Sequence, residues 1–233
     1  MASNRGPCGR AEFGKRQRLV AAGVLQHGGA MQLPIDPATV KGFLDPAEGA
    51  ALHEAALAQA PLGALLEVGS YCGKSALYLG TAARSAGGLL FAVDHHRGSE
   101  ENQPGWEWHD PELWDGAAGA LDSLPSFRTT LRQAGLEEHV VPVVGRSATV
   151  ARWWRTPLAM LFIDGGHTME AALADWRGWS PHLMPAGVLA IHDVFPDPAD
   201  GGRPPFEIYQ LALASGLFVE EVAVKSLRVL RKV

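Results

Sequence analysis

Asp164 and His167 stand three residues apart in the run LFIDGGH, and His192 and Asp193 close the run GVLAIHD. Two carboxylates and two imidazoles, each pair following an apolar run, form the strongest chemical constellation in the chain. Histidine changes charge near neutral pH, so His167 and His192 can take up or hand on a proton where a neighbouring carboxylate orients the ring. Proton transfer to or from a bound substrate is the chemistry these residue types announce.

A second group surrounds GSYCGKS at 69–75. A triphosphate-wrapping loop has four residues between its first glycine and Gly-Lys-Ser/Thr, whereas Gly69 and Gly73 have three between them. Glu67 stands two residues before the loop, where a carboxylate repels phosphate and suits a cationic ligand. Asp94 ends the next apolar run and is placed to accept both hydrogen bonds of a ribose diol.

These groups need elements to hold them. Asp45-Pro46-Ala47-Glu48 reads as a capping-box-like helix start, and the helix runs to about Ala60 before Pro61. A regular alternation follows. ALLEVG, LLFAVD, VVPVVG, LAMLFID and GVLAIHD read as strands. Helices are predicted over Lys74–Ser85, Pro125–Ala134, Met169–Leu183 and Phe206–Ala214, with a short one carrying Trp153 and Trp154. Pro142 puts the third strand on an edge. LFVEEVAV and SLRVLRKV alternate about a turn near Lys225 and form a terminal hairpin. The pattern gives a doubly wound, mostly parallel α/β sheet. Residues 1–60 form an arm and small helical cap, and residues 61–233 the main domain.

In such a sheet, ligands bind outside the carboxyl ends of the strands, where the strand order reverses. GSYCGKS lies there, between the first strand and its helix. A ribose-bearing, phosphate-free, positively charged ligand fits Glu67 and Asp94 together, and S-adenosylmethionine has that chemistry.

EVGSYCGKSALYLG, then FAVD, LFIDGGH and LMPAGVLAIHDVF, resemble the successive motifs of class I S-adenosylmethionine-dependent methyltransferases. The chain is similar to the catechol O-methyltransferase type and to natural-product enzymes known as cephalosporin hydroxylases, over roughly residues 61–233. The resemblance implies a Rossmann-like seven-stranded sheet whose last strand is inserted antiparallel. It implies a cofactor-binding set of Glu67, Gly69, Ser70, Tyr71, Gly73, Ser75, Asp94, His95, Gly145, Arg146, Ser147 and Asp164, with 145–147 along the adenine. It also implies a magnesium site at Asp164, His192 and Asp193, and a catalytic base at His167. His192 departs from the family's oxygen ligand, and imidazole favours manganese, iron, cobalt or zinc. Three arrangements stay open: His192 as a metal ligand, the carboxylates alone around a hard ion such as Mg or Mn, or no metal, with His167 and His192 as base and orienting group.

The segment from His95 to Gly116 carries Trp106, Trp108 and Trp114, an aromatic wall for an acceptor or else a packing cluster. Long loops in compact domains are commonly lids or binding loops. Trp153, Trp154, Trp176 and Trp179 fall on helices and read as packing residues.

A net charge of −5 argues against a general nucleic-acid binder, and no apolar run approaches the ~18 residues that span a bilayer. Arg5, Arg10, Lys15, Arg16 and Arg18 make the arm locally basic. Joining the two cysteines, Cys8 and Cys72, would tie that arm to the ligand loop, so a reducing, cytoplasmic setting is expected. The expected function is O-methylation of a small hydroxylated acceptor, in specialised metabolism, with a homodimer hinted at by the cap. The alternatives are a metal-independent N-methyltransferase, a nicotinamide-dependent oxidoreductase, and a nucleoside-binding protein without catalysis.

Overall fold

The computed structural model describes residues 31–106 and 108–233. The basic arm, Cys8 and the irregular stretch up to residue 30 lie outside the described residues. Residues 32–233 form one unit.

Helix α1 (Pro46–Gln59) opens on the expected capping box: Asp45 accepts from Ala47 N, and the Glu48 carboxylate accepts from Asp45 N. Strand β1 (Ala64–Val68), helix α2 (Lys74–Ser85) and strand β2 (Leu90–Asp94) follow. The long segment after β2 is not structureless. It holds two 3₁₀ turns, at Glu100–Asn102 and Pro111–Leu113, and a two-stranded ribbon of β3 (Trp114–Asp115) and β4 (Ala120–Leu121). Helix α3 (Leu124–Ala134) ends on Gly135 at φ 62, the left-handed closure glycine provides. Strand β5 (Val140–Val144), helix α4 (Ser147–Trp153), strand β6 (Leu158–Ile163) and helix α5 (Met169–Trp179) complete the next two repeats. Then come β7 (Leu183–Ile191), α6 (Pro204–Ala214), β8 (Phe218–Val224) and β9 (Leu227–Lys232).

Helix α5 stops four residues short of the expected Leu183. Pro181 offers no N–H to an α-helix, so one 3₁₀ turn at Ser180–His182 leads straight into β7. Two prolines at the start of α6 move its first turn ahead of the expected Phe206.

The seven-stranded sheet has the order β5-β2-β1-β6-β7-β9-β8. Pairings from β5 to β7 are parallel, and β9 lies antiparallel between β7 and β8. Pro142 does sit on an edge strand. The connection reverses direction between β1 and β6, so the crevice above their carboxyl ends is the expected ligand position.

Both faces of the sheet are covered, and strand side chains alternate between two cores. Met160 and Phe162 of β6 join Leu52 and Ala56 of α1, Leu77 and Tyr78 of α2, and Phe127 of α3. Leu161 and Ile163 join Ala151 of α4, Ala172 and Trp179 of α5, and Ile208 of α6. Leu52 has no exposed surface, which is worth about 1.5–3 kcal/mol and fastens α1 to α2. Trp154, Trp176 and Trp179 pack as expected, but Trp153 is 75% exposed because it points off the short α4. No helix among the described residues is long and apolar enough to cross a membrane.

Candidate active site

The glycine loop is held against the end of β6. A Cβ on Gly69, which has φ 89, would lie 2.0 Å from the Asp164 carbonyl oxygen, so only glycine permits this approach. Gly73, at φ 91, precedes α2 without a side-chain cap and leaves the helix's first N–H groups open. Tyr71 also has a positive φ, 44, and is half-buried.

Beneath the loop, Glu67 is fully buried. Its Oε2 accepts from the Ser75 hydroxyl at 2.9 Å, while its Oε1 and the Ser70 hydroxyl have no hydrogen-bond partner among the described residues. Burial pushes the Glu67 carboxyl up to about 8, against the Ser75 hydrogen bond. Asp94 already works as a clamp. Its Oδ2 accepts from Ser70 N at 2.9 Å and Tyr71 N at 2.8 Å, and its Oδ1 accepts from His96 N at 2.7 Å. An ionised carboxylate has roughly four lone-pair sites, so one on Oδ1 remains for a ligand. His95 is half-buried, and its Nδ1 accepts from Arg97 N at 3.1 Å. Gly145 N donates to the Asp94 carbonyl at 3.0 Å, which starts residues 145–147 beside the clamp. Arg146 is exposed, whereas the Ser147 hydroxyl is engaged by Asp175 and Trp179.

The two expected catalytic histidines have different surroundings. His192 is 5% exposed; its Nδ1 lies 3.0 Å from Asp164 Oδ1 and its Nε2 lies 3.0 Å from Glu48 Oε2. Burial opposes a charge on this ring, but the Asp164, Asp193 and Glu48 carboxylates around it raise its pKa well above the ordinary value. Both ring nitrogens of His192 thus face carboxylates, and the ring stands beside the group of side chains that converges below. His167 sits between Asp193 Oδ2, 3.2 Å from its Nε2, and Glu101 Oε2, 3.1 Å from its Nδ1. The hydrogen bond to Asp193 leads in raising its pKa to about 9. Asp193, at φ 56, is held below the usual carboxylate range by both histidines despite its burial. The group that does converge as a ligand set is Asp164, His167 and Asp193, with one donor atom from each lying within 4.8 Å of the others. One imidazole and two carboxylates suit manganese, iron or zinc better than magnesium.

A cleft of about 370 Å³ opens beside Tyr71, lined by Lys41, Phe43, Trp108 and Asp110. Phe43 stacks toward Tyr71 at 6.1 Å and meets Trp108 edge-on at 5.1 Å between ring centroids. Lys41 bridges Asp110 and Glu112, each at 2.5 Å, and fastens the far end of the long segment. The three expected tryptophans do not form one wall. Trp108 lines the cleft, Trp106 is 54% exposed, and Trp114 packs on His109 and toward Cys72, Leu113 and Leu121.

Glu48, Glu101, Asp175, Lys41 and Phe43 were not singled out from the sequence as site residues. Glu48 did read as a helix-capping acid, and its second role depends on a partner 144 residues away. The clustering of acids in the segment after β2 was the available signal for Glu101.

A family model described as a methyltransferase domain matches residues 66–194, more than half of the chain. Among solved structures, the chain is similar to an O-methyltransferase from Bacillus cereus in complex with SAH: 16% identity, 84% of this chain and 86% of that chain covered, TM-score 0.56. It is similar to the O-methyltransferase TomG from Streptomyces achromogenes, involved in tomaymycin synthesis and in complex with SAM, at 17% identity, with 82% and 81% covered and TM-score 0.55. The O-methyltransferase NovP matches at 15% identity, with 79% and 78% covered and TM-score 0.61. The strand order and the glycine loop at the switch point agree with that match, and the chain belongs to the methyltransferase-domain family.

Proposed function

We propose that the protein is an S-adenosylmethionine-dependent O-methyltransferase acting on a small hydroxylated acceptor with a planar, aromatic body. The observation that carries this reading is the unpartnered, buried Oε1 of Glu67 beneath a glycine loop, with Asp94 at the next strand end. A buried carboxylate oxygen without a donor is unfavourable, and a cationic methionine end relieves it. Two of the similar structures hold SAM or SAH. The cofactor supplies an electrophilic methyl group on a sulfonium.

The chain's own residues bind and orient. Glu67 and Ser70 receive the methionine end, Asp94 a ribose hydroxyl, and residues 145–147 flank the base. Phe43, Tyr71 and Trp108 give the acceptor an apolar, aromatic bed. His167 takes the acceptor's hydroxyl proton, after losing the one that Asp193 and Glu101 hold on it. Asp164, His167 and Asp193 would hold a divalent ion such as Mn or Mg, and such an ion would lower the pKa of an acceptor oxygen. His167 serves either as ligand or as base.

A metal-independent N-methyltransferase is favoured by one observation: Asp164 and Asp193 each already have an imidazole nitrogen close by, His192 Nδ1 at 3.0 Å and His167 Nε2 at 3.2 Å. A thermal-shift panel of S-adenosylhomocysteine, NAD and ATP, each with EDTA, Mg²⁺ or Mn²⁺, tests the whole reading. A ligand specific for the native state at ~100 times its Kd adds ~2.7 kcal/mol. S-adenosylhomocysteine is expected to stabilise selectively, with a further shift under Mn²⁺ or Mg²⁺. Stabilisation by NAD or ATP instead overturns the assignment, and indifference to metal with chelator-resistant turnover selects the metal-free reading.

A further inference from the structure

Glu48, the capping-box acid of α1, lies outside every motif that marks the site and is 3% exposed. Its Oε1 accepts from Ser226 N at 2.9 Å, Ser226 Oγ at 2.8 Å and Leu227 N at 3.2 Å, where β8 turns into β9. These donors pin the carboxylate, and its Oε2 lies 3.0 Å from His192 Nε2. Donors gathered on one oxygen favour the ionised carboxylate, which can only accept. The proton in the gap between Glu48 and His192 therefore sits on Nε2.

That proton decides what the other side of the ring offers. A neutral imidazole protonated on Nε2 carries its lone pair on Nδ1. Nδ1 lies 3.0 Å from Asp164 Oδ1 and 3.5 Å from Asp193 Oδ1. His192 N donates to the Ile163 carbonyl at 3.1 Å, which fixes the root of the side chain. One nitrogen and two carboxylate oxygens meet there, and only a positive centre joins them: a proton on Nδ1 or, in its place, a divalent cation. Histidines that ligate metals almost always give their second N–H to an acceptor such as a carboxylate, which sets tautomer and ring orientation.

We infer that Glu48 is a positioning residue of this kind: it keeps the His192 proton on Nε2 and so presents Nδ1, beside Asp164 and Asp193, as a ligand for a divalent cation. This rests on the metal-assisted form of the reading above. With His192 supplying an imidazole, His167 is left to handle the acceptor's proton.

Glu48→Gln tests the inference, because the donors of the hairpin hold the amide carbonyl and the amide N–H must then face His192. Nε2 becomes the acceptor, the ring proton moves to Nδ1, and the cation's place is blocked. EPR titration with Mn²⁺ is expected to show roughly 10- to 100-fold weaker binding than wild type. Ser226→Ala removes a donor from the same buried cluster without touching the ring, and is expected to leave Mn²⁺ affinity unchanged. A purely structural role for the cluster would weaken both variants alike. Nitrogen NMR of the Zn²⁺-loaded wild type, with His192 assigned through His192→Asn, should find its ring proton on Nε2. That spectrum decides the matter if the glutamine variant does not fold. Equal or tighter Mn²⁺ binding by Glu48→Gln, equal losses in both variants, or a ring proton on Nδ1 overturns the inference and leaves the metal reading intact. A wild type that binds neither Mn²⁺ nor Zn²⁺ overturns the metal reading, and the inference with it.

Discussion

Glu67 is charged or neutral according to what lies above it. Without a cation, its carboxyl titrates near 8 because it is buried. The folded protein therefore keeps a proton there between about 4.5 and 8 that the unfolded chain has lost, so this group's contribution to stability falls as pH rises through that window. A cationic ligand favours the ionised form. S-adenosylhomocysteine affinity should then rise with pH, level off above about 8, and release a proton on binding below it. Calorimetry at pH 7 in two buffers of different ionisation enthalpy reads that proton; no net release would sink the assignment of Glu67 to the methionine end. His167 is tuned upward as well, by Asp193, to about 9. As the base it must be neutral, so methyl transfer should accelerate with pH up to about 9. His167→Ala should slow turnover by ~10²–10⁴ with S-adenosylhomocysteine binding preserved, and a flat pH–rate profile with an unslowed variant rules out the role. Glu67, Asp94 and His167 were legible because each lies within a few residues of a strand end and a glycine. Glu101 and Asp175 were not, because their partners stand 66 and 28 residues away and only the folded sheet brings them together.

Helix α1 shows how one element serves both core and site. Its Glu48 carboxylate is 3% exposed and accepts from Ser226 N, Ser226 Oγ and Leu227 N at the hairpin as well as from His192. Glu48→Ala leaves His192 buried with one partner gone and should cost about 3–5 kcal/mol, read from urea unfolding. One helical turn holds a second test. Glycine to alanine inside a helix ordinarily stabilises by about 1 kcal/mol. A Cβ on Gly49, however, would come within 2.4 Å of the Tyr78 ring. Overpacking should win, and Gly49→Ala should destabilise by about 1–3 kcal/mol; a gain in stability would mean that α1 and α2 can separate freely. The capping box that starts α1 was readable from four consecutive residues, because its physics is local. The early end of α5 was less so, since an apolar helical pattern continues through Pro181 until the missing N–H is counted. The two-residue strands β3 and β4 left no periodicity to read.

At the scale of the whole molecule, the alternation of strands and helices was enough to give a parallel sheet, and Pro142 enough to put β5 on its rim. Placing β9 between β7 and β8 was different: two alternating runs announce a hairpin but do not say which arm enters the sheet. That detail came from likeness to a family, and the pairing of Leu189 with Leu230 bears it out. The segment after β2 crosses the site tied by charge at two points, Glu101 on His167 and Asp110 with Glu112 on Lys41. Both ties are partly solvent-exposed, and such pairs weaken once the Debye length drops to about 3 Å near 1 M salt. Loosening that strap should ease passage through the cleft that Trp108 and Asp110 line. Ionic strength should therefore set the tempo of exchange: stopped-flow release of S-adenosylhomocysteine speeds up several-fold at high salt, and an enzyme limited by product departure turns over faster in brine than in dilute buffer.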